Sequence, residues 1–480
     1  INSIKNYNNK ENDDKNSDEE EEVNIVKYHH LILKQKQIKK IFFIPKNITC
    51  LEYSDELNIC GDFDIDKICN GIEDINNNNN KDYFVNSDQI TQMKFLSKFV
   101  IFQDRIFSNF SSIQSIEFGE DVNILKLNCG VFSNCQNLQK IVIPNSCIHI
   151  KREAFKDCFN LKTVLFGKID SSQENKSSLK TIEYKAFYNC SSIQKIILPP
   201  SVSIIGSSAF MNCTKLKRLE FGIIYLNNEN KTIVHLDKEN ESLLSIKEYA
   251  FKNCTSLASF RVPKLCEEIE SAAFMNCTSL NKLSGHNLHL HKIGERAFFN
   301  CSSLTYVHLC ITDSLKYVEE YDEEDEEEEE KEKNKMKIPV INGFSIYTGS
   351  FMNCSSLKEF IIENDSKQID TLNQKIKNPF GSIISDNAFR NCTSLTNNTF
   401  LIGNLYQIGY NAFMNCPSLK KIITNAPSYK SIVNDERISF NGCSTNLNLD
   451  LFNENKKVRS FNILVKQYST SSKKLFMNHL

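Results

Sequence analysis

A single octet, AFMNCTSL at Ala273–Leu280, recurs in close copies that begin at residues 131, 154, 186, 209, 250, 297, 350, 388 and 412. Eleven of the eighteen cysteines lie in the F-x-x-C of this octet or a near variant, with successive spacings of 23, 32, 23, 41, 23, 24, 53, 38, 24 and 27 residues. The base period is near 23, and each longer gap is that period plus an insertion. An earlier degenerate copy starts at Ile106 and has Phe110 in the cysteine slot. Self-similarity at a fixed period of roughly 20–50 residues signals a solenoid. One such unit cannot bury its own apolar face, so stacked neighbours must supply the core.

The span from Cys190 to Cys213 shows how a coil is written. Ile193, Ile196 and Leu198 follow the cysteine, Pro199 and Pro200 come next, and Val202, Ile205, Ala209 and Phe210 lead to Cys213. Ile196 and Leu198 alternate as a short strand does with one face inward, and the proline pair stops it. Val202 and Ile205 line a returning segment, and Ala-Phe-x-x-Cys closes the coil with a helical or 3₁₀ turn. The corner pairs are therefore the expected structural core: Phe132 and Cys135, Phe155 and Cys158, Phe187 and Cys190, Phe210 and Cys213, Phe251 and Cys254. The series continues with Phe274 and Cys277, Phe298 and Cys301, Phe351 and Cys354, Phe389 and Cys392, and Phe413 and Cys416. The Asn before most of these cysteines suits the backbone of a tight bend.

With its A-F-x-N-C corners, Leu or Ile three residues after each Cys and apolar alternation ending at Pro, the chain resembles the BspA-like class of leucine-rich repeat over about residues 106–443. The resemblance implies a curved solenoid used for binding, common on bacterial and protist cell surfaces and without catalytic activity of its own. The expected fold class is an α/β repeat solenoid, a leucine-rich-repeat arc with short parallel inner strands, an irregular convex side and long disordered edge insertions. The insertions fall near 167–180, 222–243, 310–342 and 363–382, each after an inner strand and before the return segment, so they should leave from one edge. Residues 1–28 read as a disordered acidic, Asn-rich tail, 29–105 as an irregular N-terminal cap region, and 444–480 as a C-terminal cap or tail.

Charge is unevenly distributed. The formal net charge is −2, but residues 319–332 hold twelve acids and one Lys, residues 11–22 hold eight acids and one Lys, and the remainder is at about +16. Part of that excess lies on the strands. Four, five or seven residues after the repeat cysteine stand Lys140, Lys162, Lys195, Lys217, Arg218, Arg261, Lys282, Lys420 and Lys421. On a concave, Lys-rich face these cations, beside Val142, Leu165, Ile197, Ile361 and Ile423, suit a protein partner that is acidic or partly apolar. The acidic run 319–332 reads either as a solvated loop or as a lid over that stripe.

The leading expectation is thus a non-enzymatic protein–protein interaction scaffold, and the alternative is a cell-surface adhesion or ligand-binding protein. Nucleic acid is the poorer fit, because the strand faces offer few aromatics for base stacking, Tyr306 being the exception. No phosphate-binding G-x-x-x-x-G-K-S/T, G-x-S-x-G, H-E-x-x-H or kinase signature is present, so no catalytic residue and no cofactor are expected. The repeat cysteines lack C-x-x-C spacing, and no metal site is expected anywhere in the chain. They read instead as small buried hydrophobes in reduced form, which leans towards an intracellular compartment. Asp62, Asp64, Asp66, Asn70 and Glu73 imitate a calcium loop, but Lys67 occupies the position that needs Gly. His286, His289 and His291 alternate with Leu288 and Leu290 and are expected to line the outer side of a return strand. No stretch approaches the roughly 20 apolar residues of a membrane helix. The chain begins at Ile1 rather than Met, so it is expected to be a fragment, and the lack of a leader says little.

Overall fold

The computed structural model describes residues 30–33, 42–43, 50–53, 57–58, 84–85, 90–95, 100–102, 104–119, 122–167, 177–226, 232–235, 241–311, 315–319, 337–341, 344–364, 382–401, 405–425, 439–452 and 458–463. They fall into two compact units. One runs to Val202 and includes Asn212–Leu216 and Glu220–Leu236; the other comprises Ser203–Met211, Lys217–Leu219 and the chain from Asp237.

In both units the repeat becomes a coil with one longer and one short strand. In the first unit the longer strands His30–Leu33, Cys50–Tyr53, Gln92–Phe95, Ser115–Phe118, Lys140–Ile143 and Thr163–Phe166 form one parallel sheet in chain order. This sheet therefore begins well upstream of residue 106. In the second unit Ser259–Arg261, Lys282–Leu288, Tyr306–Ile311, Glu359–Asn364, Asn397–Leu401, Lys421–Asn425 and Leu447–Phe452 are parallel, and the antiparallel strand Val458–Ile463 ends the sheet. The short return strands stack separately: Lys126–Leu127, His149–Ile150 and Thr181–Ile182 in the first unit, and seven more from Ile204–Ile205 to Leu405–Ile408 in the second.

The corners differ from a helical or 3₁₀ turn, and the backbone shows why. Ala273, Met275 and Cys277 donate their N–H groups three residues back, to Glu270, Ala272 and Phe274. The alternate donors Ala272, Phe274 and Asn276 point out of the coil, to the carbonyls of Glu295, Ala297 and Phe299 in the next. Sending out every second N–H requires two left-handed residues four apart, here Ala272 (φ 50°) and Asn276 (φ 61°). The same pairing recurs at Arg105/Asn109, Glu153/Asp157, Lys185/Asn189, Tyr249/Asn253, Arg296/Asn300 and Asn387/Asn391. Left-handed backbone is costly for most L-residues and least so for Asn and Asp, which is why the octet carries Asn at its second such position.

That Asn has a second task. Its amide joins a side-chain ladder across coils: Asn212 Nδ2 donates to Asn189 Oδ1 at 2.7 Å, Asn276 to Asn253 at 2.9 Å, Asn300 to Asn276 at 3.1 Å and Asn391 to Asn353 at 2.8 Å. Beneath it the phenylalanines stack ring on ring. Phe107, Phe132, Phe155 and Phe187 do so in the first unit at centroid separations of 5.2–5.8 Å. Phe210, Phe251, Phe274, Phe298, Phe351, Phe389, Phe413 and Phe440 do so in the second at 5.1–5.6 Å. The Phe and Cys of the ten corner pairs from Phe132 to Cys416 are all fully buried.

Two insertions contain paired strands. Ile223–Leu226 runs antiparallel to Thr232–His235, and Leu315–Glu319 antiparallel to Lys337–Ile341. Both pairs lie between a longer strand and the next short return strand. The calcium-like loop 62–73 and the acidic run beyond Glu319 lie outside the described residues. Among the described residues no helix is long and apolar enough to cross a membrane.

Candidate functional site

Along each longer strand the burial alternates, as in exposed Lys140, buried Ile141, half-buried Val142 and buried Ile143. Residues five and seven after the repeat cysteine consequently face outward, except that Ile197, expected on the open face, and Asp450 are buried. Parallel pairing lines them up across coils at the roughly 4.7–4.9 Å spacing of neighbouring strands. In the second unit the fifth positions form the row Ser259, Lys282, Tyr306, Glu359, Asn397 and Lys421. The seventh form Arg261, Ser284, His308, Ile361, Thr399 and Ile423.

Lys140 and Lys195 stand on strands of the first unit, with Lys162 just before one, and all three are exposed. Lys195 Nζ pairs with Glu220 at 2.9 Å. In the second unit Lys217, Arg218, Lys282 and Lys420 are exposed, and Lys217 and Lys420 precede their strands rather than standing in them. Lys282 lies over the Tyr306 ring, 5.8 Å from its centroid. Lys421 pairs with Asp450 at 2.7 Å. Arg261 forms an ion pair with Glu241, whose side chain is wholly buried, and burial pushes the Arg261 guanidinium below its ordinary value. The row of fifth positions in the second unit thus interleaves cations with Ser, Tyr, Glu and Asn.

The histidines depart from the sequence reading. His286 belongs to the longer strand Lys282–Leu288, and only His291 adjoins the short return strand Lys292–Ile293. His286 approaches a group formed by His308, Cys310 and Glu363, whose donor atoms all lie within 4.8 Å of one another. Motif spacing does not reveal this group, because 55 residues and an insertion separate His308 from Glu363. Counting from the repeat cysteines does reveal it: His286, Cys310 and Glu363 are each nine residues on, and His308 seven.

The family model for the BspA type leucine rich repeat region matches the chain in six copies, over residues 60–175, 168–233, 224–322, 330–374 and 345–464. Among solved structures, a leucine-rich repeat protein from Bacteroides ovatus is similar at 22% identity, covering 73% of this chain and 76% of the other, with a TM-score of 0.45. The pneumococcal vaccine antigen PcpA is 20% identical over 79% of this chain and 80% of its own, with a TM-score of 0.40. A leucine rich cell surface protein from Faecalibacterium prausnitzii is 17% identical over 84% and 91%, with a TM-score of 0.33. At these identities the likeness concerns the fold alone. A search of curated proteins finds no match.

Proposed function

Because the chain belongs to the BspA-type leucine-rich repeat family, we propose that it is a non-enzymatic protein-recognition module. Its longer-strand sheets offer their open face to a protein partner that is acidic or partly apolar. Leucine-rich repeat scaffolds are generally non-enzymatic, and the proposed activity is binding.

The observation that carries this reading is the in-register surface of the second unit. Lys282, Tyr306, Glu359, Asn397 and Lys421 stand side by side on hydrogen-bonded strands, above the half-buried Ile361 and Ile423. A surface built on strands is rigid before it meets its ligand, so little ordering entropy is lost on binding. The excess of cations outside the two acidic runs supports an acidic partner through electrostatic steering.

The test reverses Lys217, Arg218, Lys282 and Lys420 to Glu, all four exposed and on or beside the longer strands of the second unit. A control variant reverses Lys126 and Lys180, beside or in the return strands. A partner that binds wild type and the control but not the fourfold variant, with circular dichroism unchanged, supports the reading. Equal binding by both variants overturns it and moves the search to the insertions.

A further inference from the structure

We infer that His308, Cys310 and Glu363, completed by His286, form a binding site for a borderline-soft divalent cation, Zn²⁺ above all, on the outward face of the second unit's longer-strand sheet. Two features of the sheet assemble it. In Tyr306–Ile311 side chains alternate, so His308 and Cys310 both face outward while Val307, Leu309 and Ile311 are buried. Parallel pairing then sets Cys310 directly opposite Glu363. On the other side the register slips: Gly285 pairs with Leu309 and Leu288 with Ile311, leaving two residues, His286 and Asn287, opposite Cys310 alone. Such a bulge re-aims a side chain, and Gly285 at its start lets Leu288 pack close, an added Cβ there lying 2.8 Å from Leu288 Cδ1.

The donor atoms converge. His308 Nε2 is 2.8 Å from Glu363 Oε1 and 3.4 Å from Cys310 Sγ. Cys310 Sγ is 3.7 Å from Glu363 Oε1 and 3.3 Å from His286 Nδ1. Tetrahedral zinc with Zn–S near 2.3 Å and Zn–N or Zn–O near 2.0–2.2 Å places its ligand atoms about 3.3–3.6 Å apart. Within the trio His308, Cys310 and Glu363 the separations already bracket that value, with the His308–Glu363 contact opening slightly as the cation replaces the shared proton. His286, which touches Cys310 but lies outside the 4.8 Å group, must swing inward to complete the shell. The far nitrogen of His308 is held as well, Nδ1 lying 3.0 Å from the Tyr306 hydroxyl. With Nδ1–H donating to that oxygen, Nε2 is left to the cation, the outer support that metal-binding histidines receive. Thiolate and imidazole donors select zinc or cobalt over calcium or magnesium. The side chains of His308 and Glu363 retain 24% and 40% of their exposure, so the cation has a path in.

The experiment titrates Co²⁺ into the reduced 480-residue chain and follows the absorption of a thiolate-bound, tetrahedral cobalt centre, then displaces it with Zn²⁺. One equivalent should develop thiolate-to-cobalt charge transfer together with strong d–d bands. Cys310→Ser should abolish the charge transfer, and His308→Gln and Glu363→Gln should each lose stoichiometric binding. Cys129→Ser, altering the other partly exposed thiol among the described residues, should change nothing. Tyr306→Phe, a positioning residue, should weaken binding about 10–100-fold with the spectrum retained. Circular dichroism of each metal-free variant guards against misfolding. Absence of the bands at millimolar Co²⁺, or their survival in Cys310→Ser, overturns the assignment; the former would leave a hydrogen-bonded polar cluster only.

Discussion

The thiol of Cys277 donates to the backbone carbonyl of Phe251 in the preceding coil, Sγ to O 3.3 Å, and the same carbonyl also accepts the N–H of Cys254. Every repeat cysteine from Cys135 to Cys443 repeats this contact at 3.0–3.4 Å, ending with Cys416 to Phe389 at 3.1 Å and Cys443 to Phe413 at 3.0 Å. The position thus needs a residue small enough for the corner, apolar enough for burial, and able to donate one weak hydrogen bond. Cysteine meets all three conditions. Ala at 277 should cost about 1–3 kcal/mol, from the lost bond and the small void it leaves, and urea unfolding measures this.

Asn276 combines a left-handed backbone with two ladder bonds, giving one to Asn253 and taking one from Asn300. Two substitutions separate these roles. Gly keeps the backbone and loses the ladder, costing about 1–2 kcal/mol at the usual net value of such bonds. Ala loses both and should cost about 1–2 kcal/mol more. Equal unfolding midpoints for the two variants would show that the backbone conformation is not what selects Asn.

Burial pushes the Cys266 and Cys301 thiols up to about 12 from an ordinary 9.0. In the unfolded chain they ionise near 9, so between pH 9 and 12 the folded state holds the extra protons. Stability is then fully present below pH 9 and falls as pH rises through that window, by about 1.4 kcal/mol per pH unit for each such group. Chemical unfolding at pH 7, 9 and 10.5 should show little change over the first interval and a marked loss over the second.

Arg261 compensates the charge of the buried Glu241. Replacing Arg261 by Met alone leaves a buried carboxylate unpaired and should destabilise the protein by about 3–5 kcal/mol. Arg261→Met with Glu241→Gln should recover much of that loss. A double-mutant cycle in thermal unfolding decides it, and purely additive effects would mean that the pair is not coupled.

A thiol reagent at pH 8 should distinguish the cysteines in the same way. Cys129 and Cys310 are partly exposed, whereas Cys135, Cys277 and Cys392 are buried. Mass spectrometry of the folded chain should find the first two labelled and the corner cysteines protected until denaturant is added.

The corners were the most legible part of the molecule. Phe274 and Cys277 are each followed about 23 residues later by Phe298 and Cys301, and stacking such residues on their equivalents is the direct solution to that repetition. The hydrogen-bond alternation was less legible, because Ala-Phe-x-x-Cys has helical spacing and nothing local to it specifies that Phe274 N–H leaves its own coil. His308 and Glu363 were illegible to motif spacing, since parallel register rather than proximity in sequence brings them together. Likewise Arg261 reads as a surface cation until the fold sets Glu241 against it.

The out-of-coil bonds from Ala272, Phe274 and Asn276 run in one direction, towards the following coil, and those from Tyr249, Phe251 and Asn253 do the same one coil earlier. Each coil therefore presents to its successor the same face that its predecessor presented to it. The number of coils is then an adjustable quantity. Excising residues 255–277, one full period, would bring Cys254 to Thr278 with every ladder still in phase, whereas removing half as many would put each of them out of step. A gene for such a chain can lengthen or shorten by whole periods without a new core having to be found.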